Sequence, residues 1–294
     1  MLTTLTGCDD QITKLRHYKS LQKYYSISER SLEALENDYL WFSVIENFND
    51  PFEGQYTFTF NPSFKDYVTR LHWSFANFPE DYEEFPGGVL ELYRRYANDR
   101  ARLEEEFRKE AEDVYHQNVN RHPYGYLCLC GEAATPPSSN HQILMWSHYA
   151  AGLKGLKVVF DIPKLMTSLC EENVVHAEDM EYSEYPTSVD LLSFWEMQFN
   201  PAAPRWNNFT YLHRDKCKHS AWSYESEVRL CAEHEGKRKY SRSDIMRIEI
   251  GEKMSSENKQ KIMSIFSDCN IEFLTARLKP RTFEFEVVPG VDLN

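Results

Sequence analysis

Trp222-Ser223-Tyr224-Glu225-Ser226-Glu227-Val228-Arg229-Leu230 combines an alternating apolar pattern with two closely spaced acids. Taken as a strand, its two-residue period sends Ser226, Val228 and Leu230 to one face. Glu225, Glu227 and Arg229 go to the other. The first set suits a core, and the second lines up two carboxylates and a guanidinium beside two aromatic rings. A solvated strand face would carry the same pattern, with Arg229 simply neutralising the acids. Paired acids on a rigid strand also suit general acid–base work or stabilisation of a sugar oxocarbenium ion.

Working outward, strand signals recur on both sides. Leu21–Ser26, Tyr39–Ser43, Gln55–Phe60, Tyr126–Cys130, Leu156–Asp161 and Val174–Tyr182 precede it or overlap its half of the chain. Glu227–Ala232, Ile245–Ile250, Ile271–Ala276 and Arg281–Val288 complete the set. Helices are expected at Ser28–Asn37, opened by Ser28 as N-cap, and at Gln142–Ala150, Thr187–Phe199 and Ser255–Cys269. A helix-rich stretch separates the early strands from the later ones. After Pro86-Gly87-Gly88 it places Leu90, Tyr93, Ala97, Leu103, Phe107, Ala111 and Val114 on one stripe. The expectation is an α+β fold: one domain over 1–294, with a mixed, mostly antiparallel sheet as its core and a helical insertion at about 62–122.

Composition bounds the rest. The chain has 294 residues, 41% hydrophobic and 27% charged, a mixture that can build a full core and excludes global disorder. A formal charge of −13 disfavours nonspecific binding to nucleic acid or to an anionic membrane, because both need a positive field. Seven cysteines in no disulfide pattern read as a reducing cytoplasm. No apolar run reaches the roughly 20 residues that span a bilayer. Leu5-Thr6-Gly7-Cys8 matches a lipoprotein cleavage site only by chance, since no basic and apolar segments precede it. Gly-rich phosphate loops, a Gly-x-Ser-x-Gly elbow and His-Glu-x-x-His are missing from the sequence.

Three other segments concentrate polar and aromatic residues. Phe48-Asn49-Asp50-Pro51-Phe52-Glu53 is a well-anchored turn that could present Asn49, Asp50 or Glu53 to a cleft. Leu144–Ala150 carries Trp146 and Tyr149, suited to stacking on a base, and His148, which reads as a core histidine or a catalyst. Cys128-x-Cys130 and His213-x-x-x-Cys217-x-His219 are scattered metal-type ligands at no zinc spacing, so no metal is expected. From Arg214 to Arg242 there are eight Lys or Arg against five Asp or Glu, which suits a phosphate-bearing ligand.

In order along the chain, Lys23-Tyr24, Leu40-Trp41-Phe42-Ser43, Asn49-Asp50-Pro51-Phe52-Glu53, Cys128-Leu129-Cys130, Met145–Ala150 with Lys154-Gly155, Lys216, and Trp222-x-Tyr224-Glu225-x-Glu227-x-Arg229 resemble the bacterial domain of unknown function 2971. Cys130 stands where that pattern usually has Ser, and Leu153 where a His commonly precedes Lys-Gly. The layout is also similar to that of ADP-ribosyltransferases. That second resemblance implies Glu227 as the ribose-binding catalytic acid, Glu225 as its acceptor-side partner and Ser43 as a second-strand hydroxyl. It has no counterpart here for the first-strand Arg or His. On this reading Glu227, Glu225 and His148 are catalytic. Tyr24, Ser43, Asn49, Asp50, Glu53, Trp146, Tyr149, Lys216, Trp222, Tyr224 and Arg229 bind. NAD is the co-substrate, and the chain is an NAD-consuming ADP-ribosyltransferase or NAD glycohydrolase of the toxin or phage-defence kind. The alternatives are a non-catalytic nucleotide- or peptide-binding module using Trp146, Tyr149 and Trp222, or a hydrolase or nuclease using Asp50, Glu53 and His148.

Overall fold

The computed structural model describes residues 7–77, 88–120, 124–133, 140–199 and 216–292. It divides into two compact units, the first made of 1–54, 123–185 and 215–294, the second of 55–122 and 186–214. In chain order the first unit contributes α1 (Cys8–Lys14), β1 (Tyr18–Tyr25), α2 (Glu29–Glu36) and β2 (Tyr39–Phe42). The second unit adds β3 (Tyr56–Thr59), α3 (Phe64–Asn77) and α4 (Gly88–Asn120). The first resumes with β4 (Gly125–Ala133), α5 (Asn140–Tyr149), β5 (Leu156–Phe160), α6 (Ile162–Glu171), β6 (Val174–Asp179) and β7 (Glu181–Ser183). Next come β8 (Thr187–Asp190) and α7 (Leu191–Phe199) of the second unit. The chain closes in the first unit with β9 (Cys217–His219), β10 (Glu227–Ala232), β11 (Gly236–Lys239), β12 (Ile245–Gly251), α8 (Ser256–Ile265), β13 (Glu272–Leu278) and β14 (Phe285–Pro289).

The first unit is built on an eight-stranded sheet in the order β14-β13-β12-β5-β1-β4-β10-β6. Only β12 and β13 run parallel; every other pair is antiparallel. The expected α+β class with a mostly antiparallel sheet is therefore found. One sheet face is apolar: Leu21, Leu129, Val158, Ile248, Val228 and Leu230 meet Leu15 of α1, Leu35 of α2, Leu165 and Leu169 of α6 and Ile262 of α8. Each such side chain, fully buried, contributes about 1.5–3 kcal/mol. The helix expected after Ser28 starts there, and an unexpected one follows Asp161. Ser28 accepts from the Ser31 amide and the Ser31 hydroxyl accepts from the Ser28 amide, while Asp161 accepts from Lys164 N with Pro163 in the first turn.

The opposite face is polar, and the register explains why. Glu227 pairs with Cys130, Cys130 with Gln22, Gln22 with Val159 and Val159 with Arg247, so these five side chains share one face. Helix α5 covers part of that face, and the turn after it is sharp. Ala151, Gly152 and Leu153 all have positive φ (49°, 65° and 70°). At Gly155 a Cβ would sit 2.0 Å from the Tyr25 carbonyl oxygen, so only glycine fits. Leu153 is buried there beside Trp146 and Ala276, where a polar imidazole would lack water.

In the second unit β3 and β8 pair in parallel, and Phe107, Ala111, Tyr115, Leu191, Phe194 and Trp195 form a core. The expected insertion at 62–122 is thus only part of this unit, which also draws on 186–214. Thr187–Phe199, expected as one helix, is a strand followed by a helix: Thr187 and Val189 are β-branched, and pairing with β3 takes them. The long helix α4 is non-helical at Asp99 (φ −117°, ψ 21°), and the apolar stripe changes there. Leu103, Phe107 and Ala111 are buried as expected, whereas Leu90, Tyr93 and Ala97 are exposed and Tyr96 is buried instead.

Candidate functional site

Pairing between β1 and β4 ends at Gln22 and Cys130. Beyond that point β1 continues along β5 to Tyr25, and β4 continues along β10 to Gly125. A cleft of about 1070 Å³ lies at this break, lined by residues of both strands together with Asn49, His148, Tyr149, Lys218, Glu225 and Glu227. Asn49, His148 and Glu227, three segments far apart in sequence, therefore share one cleft. Tyr24 and Ser43 line it too, Ser43 being held to Tyr126 by a two-way backbone bridge.

A buried charge cluster sits at one end. Lys218 Nζ donates to Glu225 Oε2 and Glu227 Oε2, each at 2.7 Å, and stands 3.7 Å from Glu53 Oε2. Arg229 donates to Glu227 Oε1 through Nε (2.9 Å) and Nη2 (2.7 Å), and to Glu53 Oε1 through Nη1 (2.9 Å). Its guanidinium lies 5.1 Å from the Phe48 ring centre and 5.7 Å from that of Tyr126. Tyr149 donates to Glu225 Oε1, and Asn49 lines the cleft with it. All five charged members are nearly inaccessible, at 6% or less by side chain. Three acids against two bases leave one formal negative charge, which is costly in a buried place unless something shares it.

The two neighbouring glutamates are driven apart. Burial raises the Glu225 carboxyl above its ordinary range, and its bonds to Lys218 and Tyr149 do not fully reverse this. Burial also opposes ionisation of Glu227, but the Arg229 and Lys218 charges outweigh it and hold that carboxyl well below the usual range. Lys218 is desolvated, yet Glu227 and Glu225 keep it firmly protonated. Cys130, on the same sheet face, is pushed up to about 12 by burial and is no ready thiolate.

The strand reading of Trp222–Leu230 holds from Glu227 onward. Residues Ser220–Glu225 form a 3-10 turn, and Ser226 adopts the left-handed region (φ 43°, ψ 48°). That reversal still points Glu225 at the same Lys218 that Glu227 meets. Val228 and Leu230 face the apolar core as expected.

Several expected binding residues have other roles. Trp146 is 1% exposed and packs edge-on against Tyr24 at 5.5 Å, so it is core and no stacking platform. Trp222 lies outside the cleft lining; its ring stands 5.4 Å from Lys218 Nζ. Tyr224 also lies outside it and hydrogen-bonds His148 Nδ1 at 2.9 Å. Lys216 pairs with Glu178 at 2.9 Å. Asp50 is a turn residue whose Oδ1 accepts from Phe52 N. Neither Asp50 nor Glu53 lines the cleft that holds His148, so the hydrolase trio is not assembled. Of the metal-type scatter, His213 lies outside the described residues, and no group of three or more His, Cys, Asp or Glu among the described residues could hold a metal ion. The positive stretch 214–242 is largely spent internally: Lys237 pairs with Glu33, and Arg242 with Asp38 and Asp268, besides the pairs above.

Two cluster or cleft residues escape the sequence reading. Lys218 stands two places from the lysine chosen; only the long-range pairing of β9 with β7 identifies it. Lys23 sits on β1 within the cleft and donates to Cys128 O at 2.9 Å.

Fold and site together define an α+β chain with an acid-bearing cleft at a break in an antiparallel sheet. Residues 145–230 match the family described as protein of unknown function DUF2971, so the resemblance to that family holds over this segment. The matched stretch contains His148, Tyr149, Lys218, Glu225, Glu227 and Arg229, while Lys23 and Glu53 lie before it. No curated protein matches the chain, and no solved structure does. Among the described residues, no helix is long and apolar enough to cross a membrane.

Proposed function

We propose that the cleft cleaves the glycosidic bond of an NAD-type nucleotide, transferring the ribosyl group to water or to a hydroxyl-bearing acceptor. The observation that carries this reading is the placement of Glu225 and Glu227 together in one cleft, bridged by Lys218, with only Glu227 also held by Arg229. One neighbouring carboxyl is kept ionised and the other is tuned upward, the usual mark of divided acid–base roles. The C1′–N bond breaks with its electron pair passing to the pyridinium nitrogen, which leaves as neutral nicotinamide. The acceptor oxygen bonds C1′, and its proton passes to Glu225, the group whose raised pKa suits a general base. The net negative charge of the cluster favours the oxocarbenium-like ribose that develops between these events. Glu227 has both oxygens engaged by Lys218 and Arg229, so it acts through charge and through fixing Lys218. Glu225 is also bonded at both oxygens, by Lys218 and Tyr149, but by no guanidinium, and its raised pKa makes it the candidate base, reversing the weight that the ADP-ribosyltransferase resemblance gives them.

The test is nicotinamide release from NAD by the purified protein, with labelled transfer to acceptors in a lysate followed in parallel. The expected result is turnover in the wild type that falls in Glu225→Gln and Glu227→Gln. Wild-type protein without release or transfer, or variants equal to it, would overturn the proposal. The saturation of Glu227 favours one second reading, a nucleotide-binding module without chemistry. Saturable NAD binding with no nicotinamide released would establish that instead.

A further inference from the structure

We infer that Lys23 forms an anion subsite in the cleft and receives a phosphate-type group of the ligand; this rests on the proposed function for the ligand class alone. Lys23 lies just past Gln22, where the β1–β4 ladder stops, and its ammonium crosses the break to the Cys128 carbonyl oxygen at 2.9 Å. Among the described residues no carboxylate stands within ion-pair distance of it, and the backbone carbonyl takes one of its three N–H donors. Glu227 and Glu225 influence its charge, but Lys218 holds both and Arg229 holds Glu227. Burial lowers the pKa of Lys23 by more than the charges of Glu227 and Glu225 raise it.

The other cations around the cleft make the contrast plain. Lys218 holds two glutamates and Lys237 holds Glu33. Arg30, exposed on the first turn of α2, lines the same cleft and likewise has no carboxylate within ion-pair distance among the described residues. Lys23 inside and Arg30 at the surface thus offer two unspent positive charges to one ligand. The acid cluster offers a negative one. A ligand with a cationic sugar end and an anionic phosphate end fits that arrangement, and a neutral nucleoside does not.

Calorimetric titration with inorganic pyrophosphate, and separately with adenosine, tests the subsite. The wild type is expected to bind pyrophosphate, more weakly as salt is raised. Lys23→Gln is expected to weaken that binding about tenfold or more while leaving thermal stability near wild type, because glutamine can still donate to the Cys128 carbonyl. Lys23→Arg should retain most of the affinity. If Lys23→Gln binds as well as wild type, the lysine only mends the broken ladder and the inference fails. It fails too if wild type binds no pyrophosphate, or binds adenosine equally well. Nicotinamide release separates the two claims. Release with a KM for NAD unmoved by Lys23→Gln would sink the subsite and leave the proposed function standing. Lys23-dependent pyrophosphate binding without release would do the reverse.

Discussion

The polar face of the sheet carries two charge networks, one buried only in part, and they are built differently. In one, Lys157 Nζ meets Glu249 Oε2 at 2.6 Å with both side chains 2% exposed. Arg247 adds bonds to Glu249 (3.0 Å) and Glu132 (3.5 Å), and Ser20 and Gln22 donate to Glu132. Two acids face two bases, and none of the four lines the cleft. In the other, Glu53, Glu225 and Glu227 outnumber Lys218 and Arg229, and three of the five line the cleft. A balanced network closed off from the cleft can be accounted for as structure. An unbalanced one that opens on a cavity keeps a charge that a ligand can use. Burying charge is costly in both places, so the imbalance, more than the burial, marks the site.

Glu225→Gln should cut nicotinamide release by about 10²- to 10⁴-fold, the usual loss when a general base is removed, with the fold retained by circular dichroism. Arg229→Leu leaves Glu53, Glu225 and Glu227 to share Lys218 in a buried place. Urea unfolding should show a loss of about 3–5 kcal/mol, the cost of breaking a buried pair from one side. Replacing both partners of the balanced pair, Lys157→Met with Glu249→Leu, should leave stability unchanged or raise it by up to about 4 kcal/mol. Release should not change; a loss of turnover there would mean that the two networks work as one.

The smallest effects concern pH. Tyr149 donates to Glu225 and so favours its ionised form; Tyr149→Phe removes that bond and raises the Glu225 pKa further. Because the base must be ionised, the acid limb of kcat should move to higher pH, and a shift downward would contradict the assignment. Glu227 bears on stability with the opposite sign. Its folded pKa is depressed, so its contribution is complete above the unfolded value of about 4.3 and is lost as pH falls through the folded value. Wild-type unfolding followed between those limits should steepen with acid, and a pH-independent stability there would count against the network.

Much of the fold was legible because period and capping are local signals. Ser28 and the alternation of Glu227 to Leu230 each fix a boundary or a face from their neighbours in sequence alone, whereas the helix at Ile162–Glu171 escapes the sequence reading although its Asp161 cap and Pro163 are local. The misread elements depend on partners far along the chain. Thr187–Asp190 is a strand because β3 pairs with it, and Lys218 is buried because β9 lies beside β7. Trp146 and Tyr149 stand three residues apart on α5. Yet Tyr24 claims one ring while Glu225 claims the hydroxyl of the other, a distinction that composition does not carry. Glu225 was found for an imperfect reason: the strand begins after it, and the left-handed Ser226 restores the alignment that simple alternation assumed. Lys23 is legible only as a member of the Lys23-Tyr24 segment of the family resemblance; that no carboxylate pairs with it shows only once the acids have been placed.

Carbon-detected NMR titration of the glutamate side-chain carboxyls tests the central claim most directly, with Glu225→Gln and Glu227→Gln supplying the assignments. Glu225 should titrate above the ordinary value of about 4.3, and Glu227 should stay ionised well below it. Two carboxyls titrating together at the ordinary value, or Glu227 titrating above Glu225, would contradict the account.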